Sequence, residues 1–569
     1  MLKGTITSSG IGIGRAVILH QAENAAHPIH VTDPAPELLL FQAAVAEAVH
    51  EVEALRVRTL AALGEDKAAI FEAHAQILQD PEFQAQVREE ISTHRLTAVE
   101  ASRRVSQTFI RMFQEMDNAY MRERAIDVKD VTGRLLRKLQ QIPEIDLSSF
   151  DSDTILIAGD ITPSQMAMLD HKKVKGIITE AGGKNSHTSI MARTLEIPAM
   201  AGVKDATTLI KASAEVILDA EAGVILWNPQ PEVKNDYSKK ILVLEEQKRN
   251  LLEYLELEPV TADGSTVSLY ANISSPQDLA SVIKNGAQGI GLFRTEFIFM
   301  DRALAPTEEE QYLIYKSVLE GMKGLPVVIR TLDVGGDKQI PYLRIPTEAN
   351  PFLGLRAIRY CLRNVEIFKT QLRALLRSSV HGRLSIMFPM ISNLEEVLEA
   401  RSLLTEIAFE LKAQGVPVSA DIMIGIMIEV PSAALLADVL AQHVDFFSIG
   451  TNDLIQYLCA VDRMNESIKE LYDPYHPAVL RLIGQVIRAA QDQKIKVSMC
   501  GEMASLPGLS QVLLGLGLRE FSMNPASILR MKKLVRATKL EDARDLSKKM
   551  LGLSSGREIK LYLDSLVCI

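Results

Sequence analysis

The residues best placed to do chemistry lie in the run Gly182-Gly183-Lys184-Asn185-Ser186-His187-Thr188-Ser189-Ile190-Met191-Ala192-Arg193. An apolar strand over 174–179 precedes it, two glycines turn the backbone, and Asn185 and Ser186 are both good N-cap residues. The pattern predicts a short helix over 187–195, closed by Pro198. His187 then stands at a helix start, where free N–H groups and the positive dipole end favour an anion. An imidazole there can take a phosphoryl group whose oxygens find donors already oriented. The alternative is that it only caps or packs, and the motif alone does not choose.

A second set of candidates follows short aliphatic strands in the C-terminal half. They are Asn272, Arg294-Thr295-Glu296, Arg330, Arg356, Glu429, Asn452-Asp453, Arg463 and Cys500-Gly501-Glu502. Several arginines and an asparagine at one end of a barrel suit a small molecule bearing both phosphate and carboxylate, because guanidinium binds both in a two-point fork. Glu429 and Asp453 bring two hard oxygens together, and with substrate oxygens and waters that set suits Mg²⁺. Glu429 follows the apolar run 424–428, so its charge calls for a metal or an arginine partner. Cys500 is either a buried structural thiol or an acid able to protonate an enolate carbon. Cys361, Cys459 and Cys568 lie away from strand ends and read as structural.

Three kinds of element must position these groups. At 569 residues the chain has room for about three domains. A net charge of −10 leaves no basic footprint for nucleic acid, and no apolar run of about 18 residues reads as a membrane span or leader. Four scattered cysteines without a CxxC pattern argue against a disulfide framework and point to a cytoplasmic protein. The Gly10–Gly14 run fails as a dinucleotide fingerprint, since the third glycine comes early and a strand follows; a turn or bulge is expected there. Between 36 and 140 glycine nearly vanishes, and apolar residues recur at helical spacing, as in Phe41, Val45, Val49, Val52 and Leu55. Helix breaks are expected near Gly64, Asp80-Pro81 and Ser92-Thr93. Ile70, Phe71 and His74 read either as core or as part of a docking face.

Strands return at 154–157, 176–178, 214–218 and 223–226. One small α/β domain, 1–30 plus 145–228, is therefore expected around an all-α insert, 31–144. A single amphipathic linker helix is predicted over 232–258, with Ile241, Leu244, Leu251 and Leu255 on one face, inside a linker segment 229–260. From 261 to 569, eight short strands at 267–271, 289–293, 327–331, 384–388, 424–428, 446–449, 496–499 and 520–523 alternate with helices. That is the arithmetic of a (β/α)8 TIM barrel, whose chemistry sits at the strand C-termini.

These motifs resemble a known family. GGKNSHTSIMAR, LFRTEF (292–297), IRTLDVGGDK (329–338), NPFLGLRAIR (350–359), IEVPSA (428–433), GTNDLIQY (450–457), VDR (461–463) and MCGEMA (499–504) occur in the order found in enzyme I of the bacterial phosphoenolpyruvate:sugar phosphotransferase system. The resemblance implies that His187 is phosphorylated on Nε2. It makes Arg294, Arg330, Arg463 and Asn452 ligands of phosphoenolpyruvate, with Arg356 and Asp453 beside them. Glu429 and Asp453 become Mg²⁺ ligands, and Cys500 the proton donor that yields pyruvate. It further implies a swivelling phosphohistidine domain, docking of the phosphocarrier protein HPr on the insert, and a homodimer through the barrel. Lys184-Asn185 departs from the Arg-Thr of close family members, keeping the charge and losing the fork. Pyruvate phosphate dikinase and phosphoenolpyruvate synthase share the histidine motif and barrel, but the insert has no glycine-rich phosphate loop for ATP.

Overall fold

A computed structural model describes the chain apart from residues 1, 20–28, 64, 116–118, 141–146, 148, 163–164, 167–168, 171, 184–186, 301, 303, 337, 339, 347, 464, 466 and 568–569. Two compact units result, Met1–Glu246 and Gln247–Ile569.

The first unit is built on a mixed sheet of strands β1 (Leu2–Lys3), β2 (Thr5–Ser8), β3 (Ile11–Leu19), β4 (Thr154–Ala158), β5 (Val174–Thr179), β6 (Ala199–Ala201), β7 (Glu215–Asp219) and β8 (Val224–Trp227). Their order is β1-β8-β7-β3-β4-β5-β6-β2, with β3 to β6 parallel and the outer pairings antiparallel. Aliphatic residues fill both faces of the central strands, as expected when helices cover a parallel sheet on two sides. The turn expected in the Gly10–Gly14 run falls at Gly10 alone, where the chain bends with φ 132°. Residues 11 to 15 pair with β7 without a bulge. Glycine is needed because a Cβ at Gly12 would stand 2.0 Å from the Lys175 carbonyl oxygen, and one at Gly14 2.7 Å from that of Asp153.

The crossover from β3 to its parallel neighbour β4 carries the helical insert. Helices α1 (Ala35–Leu63), α2 (Glu65–Leu78), α3 (Pro81–His94), α4 (Ala98–Glu115) and α5 (Ala119–Leu139) pack around Phe41, Val52, Phe71, Phe83, Ile91 and Leu135. Each such buried side chain contributes about 1.5–3 kcal/mol. Asp80 caps α3 as its sequence promises, accepting from the Phe83 amide at 2.8 Å. The break expected near Ser92-Thr93 falls two residues later: the helix runs to His94 and stops at Arg95, whose φ of 53° ends it in the left-handed conformation. Phe71 and His74 are buried, which places them in the core. Gly64 lies outside the described residues.

The expected span of the linker helix also shortens: after α6 (His187–Thr194), helix α7 covers Pro231–Leu252 and gives way to turns over 253–257. Of the expected apolar face, Ile241, Leu251 and Leu255 are half-buried and Leu244 is exposed, while Leu242, Val243 and Leu252 off that face are exposed.

In the second unit β9 (Ser268–Ile273), β10 (Ile290–Arg294), β11 (Pro326–Arg330), β12 (Arg383–Phe388), β13 (Met423–Ile428), β14 (Phe446–Ile449), β15 (Lys496–Met499) and β16 (Glu520–Met523) form a closed parallel barrel, β16 pairing with β9. All eight strands fall within about two residues of their sequence assignments. Leu292, Met387, Met427, Phe446 and Cys500 fill the interior, so the barrel is a packed core with its polar groups gathered at the mouth. Helices 540–552 and 556–567 close the chain.

Candidate active site

His187 is the first residue of α6. Two side chains tie the start of this helix to the small domain: Thr188 Oγ1 donates to the Ile161 carbonyl, and Ser189 Oγ to that of Gly183, both at 2.8 Å. Gly182 takes φ 91°, the left-handed turn expected of the glycine pair. Lys184 and the expected caps Asn185 and Ser186 lie outside the described residues, as does the His187 imidazole.

At the barrel mouth the candidates converge. Arg330, the last residue of β11, is 5% exposed; its Nη2 meets Glu296 Oε1 at 2.8 Å and Asp333 Oδ2 at 3.0 Å. Lys338 Nζ bridges the same two carboxylates at 2.8 and 2.9 Å. Burial opposes charge on Arg330, but the facing carboxylates outweigh it and raise its pKa further above the ordinary value. Burial likewise opposes charge on Glu296, yet Arg330 and Lys338 hold it down at about 2. Arg330 Nε is buried without a hydrogen-bond partner among the described residues. Because a buried unpaired donor is costly, that N–H marks where an anion's oxygen would be received.

Arg356 behaves differently from the expectation that it grips substrate. It is 1% exposed, and each of its five N–H donors is already engaged. Nε and Nη2 reach Asp333 at 3.1 and 3.2 Å; Nη1 and Nη2 reach Asp453 at 3.2 and 3.1 Å; Nη1 also meets the Tyr457 hydroxyl at 3.0 Å. Arg356 therefore clamps Asp333 to Asp453, and Ala357 next to it holds φ at 51°.

Glu429 follows β13 and is 1% exposed. Its Oε1 accepts from the Met390 amide at 2.6 Å, and Met390 adopts φ 55° to present that N–H. Burial lifts the Glu429 pKa to about 8; the Asp453 and Asp333 charges add to the rise, and Arg330 and Arg356 oppose it. Glu429 thus lacks a cationic partner of its own, and a divalent cation beside it would favour its charged form. Among the described residues no cluster of three or more His, Cys, Asp and Glu could hold a metal alone. Two protein carboxylates with the other positions left to substrate and water fit the way Mg²⁺ is held beside phosphates.

Asn452, half-buried, exchanges hydrogen bonds with Glu502: its Oδ1 accepts from the Glu502 amide at 3.1 Å, and its Nδ2 donates to Oε1 at 3.4 Å. Arg294 ends β10 and is half-buried, as is Arg463. Cys500 is 3% exposed, and its Sγ points to the Ile449 carbonyl at 3.7 Å. Burial pushes its pKa up, partly countered by Ser448 and by the Arg330 and Arg294 charges. The thiol is therefore kept protonated, as a proton donor requires.

Glu296 was among the strand-end candidates, but Asp333 and Lys338 were not singled out as site residues from sequence. Asp333 and Lys338 follow β11 within the LDVGGDK run, and the rule that barrel chemistry gathers at strand C-termini was signal enough to include them.

Comparison with known proteins agrees with this architecture. Three family models match: "PEP-utilising enzyme, N-terminal" over 3–124, "PEP-utilising enzyme, mobile domain" over 150–223, and "PEP-utilising enzyme, PEP-binding domain" over 248–540. Fold and matches together define a PEP-utilising enzyme. Proteins named phosphoenolpyruvate-protein phosphotransferase from Bacillus sp. (strain S) and Geobacillus stearothermophilus are each 48% identical over 99% of this chain and 97% of theirs. The one from Bacillus subtilis (strain 168) is 45% identical over 99% of both. The chain belongs to the phosphoenolpyruvate-protein phosphotransferase family.

Proposed function

We propose that this enzyme moves the phosphoryl group of phosphoenolpyruvate to its own His187 and then to a histidine of the phosphocarrier protein HPr, releasing pyruvate, as the first step of a sugar phosphotransferase system. The observation that carries the reading is the barrel mouth, where an arginine N–H buried without a partner among the described residues, a buried glutamate whose pKa burial raises and a buried protonated thiol lie together. The names of the full-length relatives support it.

In this scheme Arg294, Arg330 and Arg463 bind the substrate's phosphate and carboxylate, with Asn452 at the rim, while Arg356 holds Asp453 in place. Mg²⁺, held by Glu429 and Asp453, would neutralise negative charge on the bound substrate. Neutral His187 attacks phosphorus as the bond to the enol oxygen breaks, and the arginines offset charge on the moving group. The enolate takes a proton at C3 from Cys500 Sγ, its carbonyl re-forms, and the thiolate regains a proton from solvent. In this reading the small domain (1–30 plus 145–228) carries His187 and swivels about the linker (229–260) between barrel (261–569) and acceptor. The insert (31–144) is the docking surface for HPr, and the barrel also forms a homodimer. No described helix is long and apolar enough to cross a membrane, and the cytoplasm, where phosphoenolpyruvate is made, is the assigned compartment.

The test is incubation of the purified chain with phosphoenolpyruvate, Mg²⁺ and HPr. Phospho-HPr and pyruvate should appear in equal amounts. Absence of phospho-HPr, or formation of phosphoenolpyruvate from ATP and pyruvate, would sink the reading.

A further inference from the structure

Asn272 lies at a strand end in the mouth, yet the scheme above gives it no task. Its amide nitrogen donates to the Cys500 carbonyl at 2.9 Å and to the Ser522 carbonyl at 3.4 Å. Its Oδ1 accepts from Ser522 Oγ at 2.6 Å. Both N–H groups are thus taken by protein, which leaves no donor to grip a substrate.

The reach of these contacts is unusual. Asn272 is in β9, which pairs with β16, whereas Cys500 follows β15 on the far side of β16. The amide therefore spans the closing seam of the barrel to hold the backbone of one residue two strands away. The surroundings are shaped for it. A Cβ at Gly291 would stand 2.4 Å from Ser522 Oγ, so glycine makes the room in which Ser522 orients Asn272. On the opposite side the Cys500 amide donates to the Ile449 carbonyl at 3.1 Å. A Cβ at Gly501 would stand 1.9 Å from Thr451 Oγ1, so the chain just beyond the cysteine is wedged there. The Cys500 peptide is gripped from both sides, and Asn272 supplies the side-chain grip from across the seam.

We propose that Asn272, oriented by Ser522, is a positioning residue that fixes the direction from which Cys500 delivers its proton to C3. The inference rests on Cys500 being the proton donor. A displaced thiol leaves protonation to water, which is the slower donor there and can approach either face, and the face is a readout that general loosening of the fold does not mimic while substrate binding stays intact.

The experiment uses the full-length protein with Mg²⁺ and HPr, and phosphoenolpyruvate carrying tritium at one C3 position, turned over in heavy water. Asn272→Asp keeps the shape and the acceptor but loses both donors. It should leave the phosphoenolpyruvate KM within about threefold, lower kcat about 100-fold, and give pyruvate whose methyl group has lost its chirality. Ser522→Ala should lower kcat about tenfold with partial loss of chirality, and it decides the matter if the aspartate variant does not fold. Retained chirality in the folded variants overturns the proposal, as does a raised KM with the chirality kept, which would make Asn272 a substrate ligand. Cys500→Ala run in parallel separates the two readings. If that variant still makes chiral methyl groups, the donor assignment itself fails, whatever Asn272 does.

Discussion

Glu296→Gln isolates one charge in the buried network without changing its shape. Glu296 is 1% exposed, and its Oε1 takes both Arg330 Nη2 and Lys338 Nζ at 2.8 Å. Burial alone would raise its pKa, but those two cations hold it at about 2. A depressed carboxylate pKa contributes stability above the unfolded-state value, and that stability is lost as pH falls through the folded value. With an unfolded value near 4.5, that depression corresponds to about 3 kcal/mol at neutral pH, and to roughly half of it by pH 3. The first figure agrees with the 3–5 kcal/mol typical of removing one partner from a buried ion pair. Urea unfolding of the full chain at fixed pH values from 8 to 3 should therefore show the variant about 3 kcal/mol less stable down to pH 5, with the gap closing below pH 4. A gap under about 1 kcal/mol at pH 7, or one that does not narrow in acid, would refute the claim that this carboxylate anchors Arg330 and Lys338.

Other perturbations test separate parts. His187→Ala should abolish incorporation of label from radioactive phosphoenolpyruvate; label persisting on the protein would move the nucleophile elsewhere. Cys500→Ala should retain phosphoenolpyruvate binding and lose about 10²–10⁴ in turnover, the usual range for a general acid. Because burial raises the Cys500 pKa, wild-type turnover should hold level above pH 8.5, where an ordinary thiol ionises; a rate falling from pH 8 would contradict a protonated donor. Arg356→Met leaves Asp333 and Asp453 buried without their shared clamp and should cost about 3–5 kcal/mol in denaturant unfolding, and a loss under 1 kcal/mol would show that the clamp is not needed.

The chain's local signals determined a great deal. Eight aliphatic strands separated by helices can close only one economical way, and each strand needs its own few apolar residues, so the barrel and its strand ends were readable from spacing. The glycine-poor stretch 36–140 likewise announced a helical insert, since apolar residues at helical spacing require nothing beyond the helix itself. Local patterns misled where a distant neighbour decides. Gly12 and Gly14 signal a turn by composition, yet they lie in a regular strand because the Lys175 and Asp153 carbonyls leave no room for a Cβ. Arginine identity announced anion binding at the mouth, but which arginine is free could not be read from it. Arg330 and Arg356 both carry five donors, and only the folded arrangement spends all five of Arg356 on Asp333, Asp453 and Tyr457 while leaving Arg330 Nε without a partner among the described residues. The same holds for Asn272, whose task depends on a residue 228 positions away. Sequence determines which groups a strand end presents; how their hydrogen-bonding capacity is divided depends on contacts between strands far apart in the chain, and those exist only once the barrel closes.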